Sequence, residues 1–436
     1  MWDIGEHVGA ISTRFRVGRT APFREAPTRP LRPSPHMLLP GLLSRSRVAF
    51  EPLLNSVRGG IVSDDAMTYD ASNIQVLEEL EAVRKRPSMC IGSTDERGLR
   101  HLVLEIVERA AHEILAGRAS RVEVTLMPHG GVGVADDGTG VLTDGFDVPL
   151  TRLTACYGGR GRHDVTAGFH GVGLSVVNAL SSRMTAEVRQ DGVSTVWEYA
   201  RGVAVTPATA PEPTTGSGTA FMFWPDSEVF KTMEQSLEAL ADRFRELAFL
   251  NRTLDISLID ERDPAEPTSM RFRFPDGVRD FVAYLDGEPS APDIVGFELD
   301  NPGMEGEMEI AWRWTDSPEE RIHSFVNSWT THGGTHERGL RDGIADAMNA
   351  YAREQRLLPK TDSDLDDNRI GEGMTAVVAV RLDHPELQGS TRGVLGNGPV
   401  RTCVREAVRE HLRGWLDGRP EQAGALISRM VARAQL

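Results

Sequence analysis

The sequence is poor in cysteine and lacks a long apolar segment. Its 436 residues include three cysteines, Cys90, Cys156 and Cys403, which are far apart, odd in number and without metal-ligand spacing. No apolar run approaches the ~20 residues that a membrane helix needs, and the N terminus has no charged-then-apolar secretion signal. These absences exclude a disulfide scaffold and a membrane partner, and they predict a protein of the reducing cytoplasm.

Positive charge is also scarce. The chain has 48 Lys and Arg against 64 Asp and Glu, a formal net charge of −16. Proteins that bind nucleic acid by bulk charge neutralise phosphates with Lys and Arg, so the composition argues against that class, although a local basic patch is compatible with it. The acidic balance favours a protein that binds a small anion in a dedicated pocket and contacts other proteins.

The composition divides the chain into three segments. Residues 1–66 are rich in Arg and Pro, and prolines at this density disfavour helices and strands. We predict a disordered arm there. A basic tail for an anionic partner and a targeting peptide are alternatives to a solvated leader or an early start codon. Residues 67–248 and 249–436 each mix helices with strands and show no internal repeat, which predicts two α+β domains.

A predicted helix in the first domain carries a row of polar residues. His101, Glu105 and Arg109 follow an i, i+4, i+8 spacing, so they share one helix face. A carboxylate held on a helix and oriented by an imidazole one turn away can activate a water. The alternative is a solvated face opposite the apolar stripe, which is the commoner origin of such a row.

Two glycine-rich motifs follow this helix. ADDGTG at 135–140 places carboxylates after a strand, where one could accept a hydrogen bond from a base while the glycines let backbone approach a ligand. An ordinary Asp-Gly turn has the same sequence. GFHGVGLSVVNALS at 168–181 leads into a helix N terminus, an arrangement that binds anions. The motif does not follow a predicted strand, as the dinucleotide-binding fold requires, so that fold is disfavoured.

The order and wording of these motifs resemble the GHKL ATPases. Within that family the sequence is similar to the B subunits of DNA gyrase and topoisomerase IV. The matching segments are YDASNIQVLEELEAVRKRPSMCIGSTD, SGTAFMFWPD, VNSWTTHGGTHERGL and EGMTAVVAVRLDHPELQGSTRGVL. The resemblance runs from residue 69 to the C terminus. It implies a GHKL α/β sandwich over 67–248 and a ribosomal-protein-S5-like transducer domain over 249–436. We find no counterpart of the family's metal-binding cleavage domain, so the chain alone is not expected to change DNA topology.

The resemblance implies roles for individual residues. Glu105 is expected to be the general base for ATP hydrolysis, and His101 is expected to orient it. Asp136 is expected to read the adenine amino group, with Thr219 as its hydrogen-bonded helper. Tyr69 is expected to reach the partner protomer's nucleotide, which implies a homodimer that forms on ATP. The remaining nucleotide-binding positions are Gly138, Gly140, Arg160, Gly168, His170, Gly171, Val172, Gly173 and Arg392.

Several positions depart from the family pattern. Arg109 stands where the family has an asparagine that holds Mg²⁺, and arginine has no acceptor with which to ligate a cation. Its planar fork suits phosphates, so a direct phosphate contact is one expectation. Thr139 and Gln190 replace arginines, and Ser390 replaces a glutamine near the γ-phosphate. The family thus implies ATP with Mg²⁺, while Arg109 gives no ligand for the metal.

Two functions stay open at this point. The first is an ATP-binding and ATP-hydrolysing module that couples ATP to DNA topoisomerase action, with a gyrase-type A subunit and DNA as partners. The second is a catalytically impaired nucleotide-binding paralogue that acts as a regulator, a decoy subunit or a resistance factor. Another GHKL protein, such as a histidine kinase, matches less well because the arm offers no phosphoacceptor-histidine helix pair.

Overall fold

Two mixed β-sheets with packed helices organise the computed structural model, which describes residues 79–140, 150–153, 173–205, 207–287, 293–359, 361–389 and 393–432. The arm predicted over 1–66 lies outside these residues. The helices are α1 (Glu79–Lys85), α2 (Ser88–Ile91), α3 (Glu96–Leu115), α4 (Leu174–Ala179), α5 (Leu237–Leu250), α6 (Val278–Leu285), α7 (Thr335–Glu354), α8 (Asp367–Gly371), α9 (Gly398–Gly418) and α10 (Pro420–Ala432).

Sixteen strands are seen in the described part of the chain. Those of the first sheet are β1 (Val122–Leu126), β2 (Val132–Asp136), β3 (Ser181–Gln190), β4 (Val193–Ala200), β5 (Val203–Ala204), β6 (Glu212–Pro213), β7 (Gly218–Pro225), β8 (Ile256–Asp260) and β9 (Thr268–Phe272). The others are β10 (Val295–Asn301), β11 (Gly306–Trp314), β12 (Arg321–Val326), β13 (Trp329–Thr331), β14 (Met374–Leu382), β15 (Leu387–Gln388) and β16 (Val394–Leu395).

The first sheet extends beyond the boundary expected from the sequence. Its order is β5–β4–β3–β7–β2–β1–β8–β9, with β6 beside β4. Strand β8 pairs in parallel with β1, and β9 pairs with β8. The sheet therefore runs to Phe272, and the change to the second sheet lies between Phe272 and Val295 rather than at residue 248. The predicted α+β class is confirmed.

Helix α3 buries more residues than α4 or α5, which also contribute to the core beside the first sheet. Its apolar stripe was predicted from a 3.6-residue period, and the burial of these side chains confirms it. The buried residues include Leu102, Val103, Ile106, Val107, Ala110, Ala111 and Ile114. Each Leu, Ile or Val buried there stabilises the fold by roughly 1.5–3 kcal/mol. Asp95 caps the helix by accepting a hydrogen bond from the Arg97 amide, which fixes where the helix begins.

Strands β3 and β4 form an antiparallel hairpin with a two-residue turn. Asp191 and Gly192 have φ angles of 52° and 81°. A two-residue turn with positive φ at both positions matches the twist of paired strands, and both residue types tolerate that conformation. The local sequence is therefore sufficient to set this register.

The second sheet has the order β10–β11–β14–β12–β13, with β12 parallel to β14. Helix α7 packs closely against α9 at Gly343. A Cβ atom at this position would stand 2.6 Å from the carbonyl oxygen of Arg405. Only hydrogen at that position lets the two backbones approach so closely. Among the described helices, none combines the length and apolar character required to cross a membrane.

Partly buried polar contacts join the end of α5 and the segment after it to the second sheet. Arg252 donates to Glu309 Oε1 from Nε at 2.8 Å and from Nη2 at 2.7 Å. Arg381 donates to Glu307 at 2.7 Å and to the carbonyl oxygen of Leu250. Burial raises the pKa of Glu309, and the Arg252 guanidinium opposes that rise. These contacts tie the segment after α5 to β11.

Candidate functional site

A buried carboxylate lies where β2 and β7 pair. Asp136 ends β2 and stands opposite Thr219 in the ladder. Its Oδ1 atom accepts hydrogen bonds from the backbone amides of Gly138 at 3.0 Å and Thr219 at 3.3 Å. Asp136 is 5% exposed. Gly218 on β7 lets the backbone of β7 lie close to that of Asp136. A Cβ atom at Gly218 would stand 2.1 Å from the Asp136 carbonyl oxygen.

Arg109 reaches this carboxylate from α3. Its Nη1 atom donates to Asp136 Oδ2 at 3.1 Å, and its Nη2 atom donates to Thr219 Oγ1 at 3.4 Å. The guanidinium carbon lies 5.6 Å from the centre of the Phe221 ring, and the side chain is 17% exposed. The arginine that the sequence suggests as a phosphate contact thus pairs with the carboxylate expected to read the base.

Burial and the hydrogen-bond donors around Asp136 have opposite effects on its pKa. Burial raises the pKa of the carboxyl group, while the Arg109 charge and the amides of Gly138 and Thr219 act in the opposite direction. A buried carboxylate is costly unless it is paired and hydrogen-bonded. Arg109 is therefore one of three donors that offset the effect of burial on this carboxyl group.

Glu105 lies one helical turn before Arg109. It is 7% exposed, and its Oε2 atom accepts a hydrogen bond from the backbone amide of Gly173 at 2.9 Å. Gly173 precedes α4 with a φ of 81°, a conformation that favours glycine. The structure thus joins the residue expected to be the base to the last residue of the expected phosphate loop.

His101 lies one turn before Glu105, in the wall of a cavity of about 520 Å³ between α3, α5 and the segment of β13. Arg100, Arg243 and Trp329 share this wall. Burial, followed by the charges of Arg100, Arg97 and Arg243, lowers the pKa of His101 to about 4. The imidazole is therefore neutral near pH 7. Asp136 does not line this cavity.

The remaining predicted positions fall into two groups. Gly140 has a φ of 72°, and a Cβ atom there would stand 2.5 Å from the Arg189 carbonyl oxygen, so glycine is required. Thr139 is exposed, and Gln190 is half-buried at the end of β3. The positions outside the described residues are Tyr69, Arg160, Gly168, His170, Gly171, Val172, Ser390 and Arg392.

The described residues do not fit a protein-held metal at this site. Within the ranges that the structure covers, no three His, Cys, Asp or Glu side chains are grouped so that they could hold an ion. Arg109 occupies the expected ligand position and carries donors only. We therefore assign no step to a metal ion.

Sequence reasoning missed two residues of this site. Gly218 and Phe221 lie on β7 beside Thr219, and no spacing rule connects them to α3. The pairing of β2 with β7 brings them there. The serine-glycine pair before Thr219 was a weak signal, since a φ of 138° at Gly218 requires glycine.

Comparisons with known proteins agree with the division between the sheets. Residues 94–229 match the histidine kinase-, DNA gyrase B-, and HSP90-like ATPase family, and residues 277–436 match DNA gyrase B. The B subunit of DNA gyrase from Streptomyces coelicolor is 42% identical over 400 residues. This chain is a gyrase B-like protein of the GHKL-plus-transducer type. The match covers 85% of the gyrase B-like chain and 58% of the Streptomyces protein, so the chain spans about 58% of that relative's length.

Solved structures extend the likeness to the fold. The 43K ATPase domain of Thermus thermophilus gyrase B, in complex with an aminocoumarin, has a TM-score of 0.68 at 29% identity. That match covers 82% of the gyrase B-like chain and 94% of the Thermus domain. The topoisomerase IV ATP-binding domain of Francisella tularensis has a TM-score of 0.65 at 27% identity, covering 83% and 98% of the two chains. The predicted GHKL-type sandwich is therefore confirmed.

Proposed function

We propose that this chain binds ATP with its base at Asp136 and hydrolyses it with Glu105 as the general base. The observation that carries the proposal is the buried Asp136 carboxylate at the junction of β2 and β7, beside the helix that bears Glu105. The amino group of adenine is a donor, and an ionised carboxylate accepts hydrogen bonds without offering any. Such an acceptor, held by the amides of Gly138 and Thr219, suits a base with an exocyclic amino group.

The contact between Glu105 and Gly173 supports the chemical step. Gly173 ends the expected phosphate loop, so its amide holds the Glu105 carboxylate beside the position proposed for the polyphosphate. There the carboxylate accepts a proton from the water that attacks the terminal phosphate. General-base catalysis of this kind contributes roughly 10²–10⁴-fold in rate. His101, one turn earlier and neutral, is proposed as a positioning residue for Glu105.

The wider role is proposed from gyrase B relatives alone. We propose that the chain forms a homodimer on ATP and couples the nucleotide to topoisomerase action, with a gyrase-type A subunit and DNA as partners. Arg392 and Tyr69 are proposed as contacts to the nucleotide from the transducer loop and from the partner's arm. Mg²⁺ is implied by the family, while Arg109 offers it no ligand.

One observation favours the second candidate, a nucleotide-binding paralogue without turnover. Arg109 takes the position of the metal ligand and pairs with Asp136 at 3.1 Å. Phosphoryl transfer depends mostly on positioning and charge stabilisation, much of it supplied by metal ions. A chain that binds ATP without hydrolysing it would fit this substitution, and a turnover measurement separates the two candidates.

The test is ATP turnover by the full chain, with and without Mg²⁺, beside calorimetric ATP binding. We expect Glu105→Gln to lower turnover roughly 10²–10⁴-fold with ATP still bound. Exposed Glu96→Gln at the start of α3 is the charge-matched control and should keep the wild-type rate. Binding without turnover in the wild-type chain selects the second candidate. An absence of both binding and turnover contradicts the proposal.

A further inference from the structure

The Arg109 guanidinium bridges two side chains that lie opposite each other on the adjacent strands β2 and β7. Asp136 Oδ2 and Thr219 Oγ1 belong to residues paired in register on β2 and β7, and Arg109 donates to both. A guanidinium is planar and presents its N–H donors in a fixed fork. The edge of a base with an amino group is likewise planar and likewise offers N–H donors. Arg109 and such a base thus compete for the same acceptor.

Three of the roughly four acceptor positions of this carboxylate are already in use. Asp136 Oδ1 already accepts two backbone amides, from Gly138 and Thr219, while Oδ2 accepts Arg109. Asp136 is 5% exposed, so access to it from solvent is restricted. The guanidinium also lies over the Phe221 ring, which adds a second favourable contact. A base that approaches Oδ2 therefore meets the Arg109 guanidinium at the same buried atom.

We propose that Arg109 is an internal substitute for the nucleotide base, which occupies Asp136 in the free protein and must leave it before ATP can bind. This inference rests on the proposed function, because Asp136 must be the residue that reads the base. The contact exists only in the free protein, so it lowers the fraction of binding-competent molecules. The apparent dissociation constant is the intrinsic constant divided by that fraction, so it rises as the fraction falls. Arg109 therefore lowers the apparent affinity for the nucleotide through its contact with Asp136.

The kinetic signature of this competition is specific. A group that blocks the free site lowers the apparent association rate constant and leaves dissociation of the bound nucleotide unchanged. A group that contacts the bound phosphates instead slows dissociation. We expect removal of Arg109 to raise association about tenfold. Tenfold corresponds to about 1.4 kcal/mol, near the lower end for a hydrogen bond to a charged group.

The experiment is stopped-flow binding of a fluorescent ribose-labelled ATP to the full chain and to Arg109→Met, which keeps a linear side chain without donors. Association should be about tenfold faster in the variant, and dissociation should change by less than about twofold. Arg118→Met is the matched control, because Arg118 is 51% exposed and pairs with Glu113. Its kinetics should equal those of the wild-type chain.

Two further variants distinguish loss of the Arg109 contact from a folding defect. Arg109→Lys keeps a charge beside Asp136 but has no fork to span Thr219, so its association should lie between the wild-type and methionine values. Arg109→Asn offers a short polar side chain that cannot reach as far. Circular dichroism and thermal melting without nucleotide establish which variants are folded before their kinetics are compared.

The outcomes separate the inference from the function on which it rests. Equal association by wild type and Arg109→Met, with ATP bound by both, overturns the inference and leaves the proposed function standing. Faster dissociation from the variant also overturns it, because Arg109 would then hold the bound nucleotide. Binding by the variant alone supports it strongly. If neither binds, the proposed function fails and the inference fails with it.

Discussion

Single side chains set the chemistry of this molecule, and Arg109 is the clearest case. On the helix surface its spacing from Glu105 predicts only that the two share a face. The partner of its guanidinium is Asp136, at the end of a strand 27 residues away in sequence. Because both groups are shielded from water, loss of one partner costs more than it would in a surface ion pair. It also gives the free site an occupant of its own.

A second residue gives the stability of the fold a pH dependence. His336 is fully buried, with Nε2 3.1 Å from Thr331 Oγ1. Burial lowers its pKa from 6.5 to about 4. Between these values the unfolded chain binds a proton that the folded chain does not, so stability is lost as the pH falls. The total loss is about 3 kcal/mol.

We therefore expect His336→Gln to flatten the dependence of the free energy of unfolding on pH between about 6.5 and 4. Urea denaturation at a series of pH values measures this directly. The wild-type curve should decline as the pH is lowered through this window, and the variant curve should decline less. Two parallel curves would show that His336 does not carry the dependence.

At the scale of elements, close backbone approach matters more than the visible ion pairs. Arg401 pairs with Asp342 at 2.7 Å and Arg405 pairs with Asp346 at 2.6 Å between α9 and α7. Both arginines are about half exposed, and such pairs contribute roughly 0–1 kcal/mol. Gly343 instead lets α7 touch the backbone of α9. The packing of these two helices thus depends on glycine, which has no side chain, at position 343.

Gly343→Ala and Gly414→Ala should have opposite effects on stability. A Cβ atom at Gly343 would stand 2.6 Å from the Arg405 carbonyl oxygen, whereas nothing lies within 4 Å at Gly414. Overpacking costs roughly 1–3 kcal/mol, against a gain of about 1 kcal/mol when alanine replaces glycine in a helix. Urea denaturation should show Gly343→Ala destabilised and Gly414→Ala stabilised. Stabilisation in both variants would contradict the close packing.

At the scale of the whole molecule, buried charges connect the two sheets. Glu309 on β11 is 7% exposed and receives Arg252 from the end of α5. Removing one partner of a buried pair leaves an uncompensated charge, which is strongly destabilising. The junction is therefore expected to make the two sheets unfold together.

Arg252→Ala should weaken this coupling. Because Arg252 is 35% exposed, we expect a cost of about 2 kcal/mol, below the 3–5 kcal/mol typical of fully buried pairs. Scanning calorimetry should show one transition for the wild-type chain and two for the variant. Arg271→Ala removes a more exposed pair, between Arg271 on β9 and Asp255 just before β8, so it does not touch the contact with the second sheet. It should lower Tm and keep a single transition.

The features that depend on neighbours along the chain could be predicted from the sequence. The buried stripe of α3 follows from a 3.6-residue period, and the turn at Asp191 and Gly192 follows from the conformations that these two residues tolerate. The sequence motifs also indicate Asp136 and Glu105, because the order of these motifs carries the resemblance to the GHKL ATPases. The pairing of Arg109 with Asp136 and the addition of β8 and β9 to the first sheet could not be predicted in this way. Both contacts join segments distant in sequence, and no local periodicity specifies which distant group a side chain or a strand will meet.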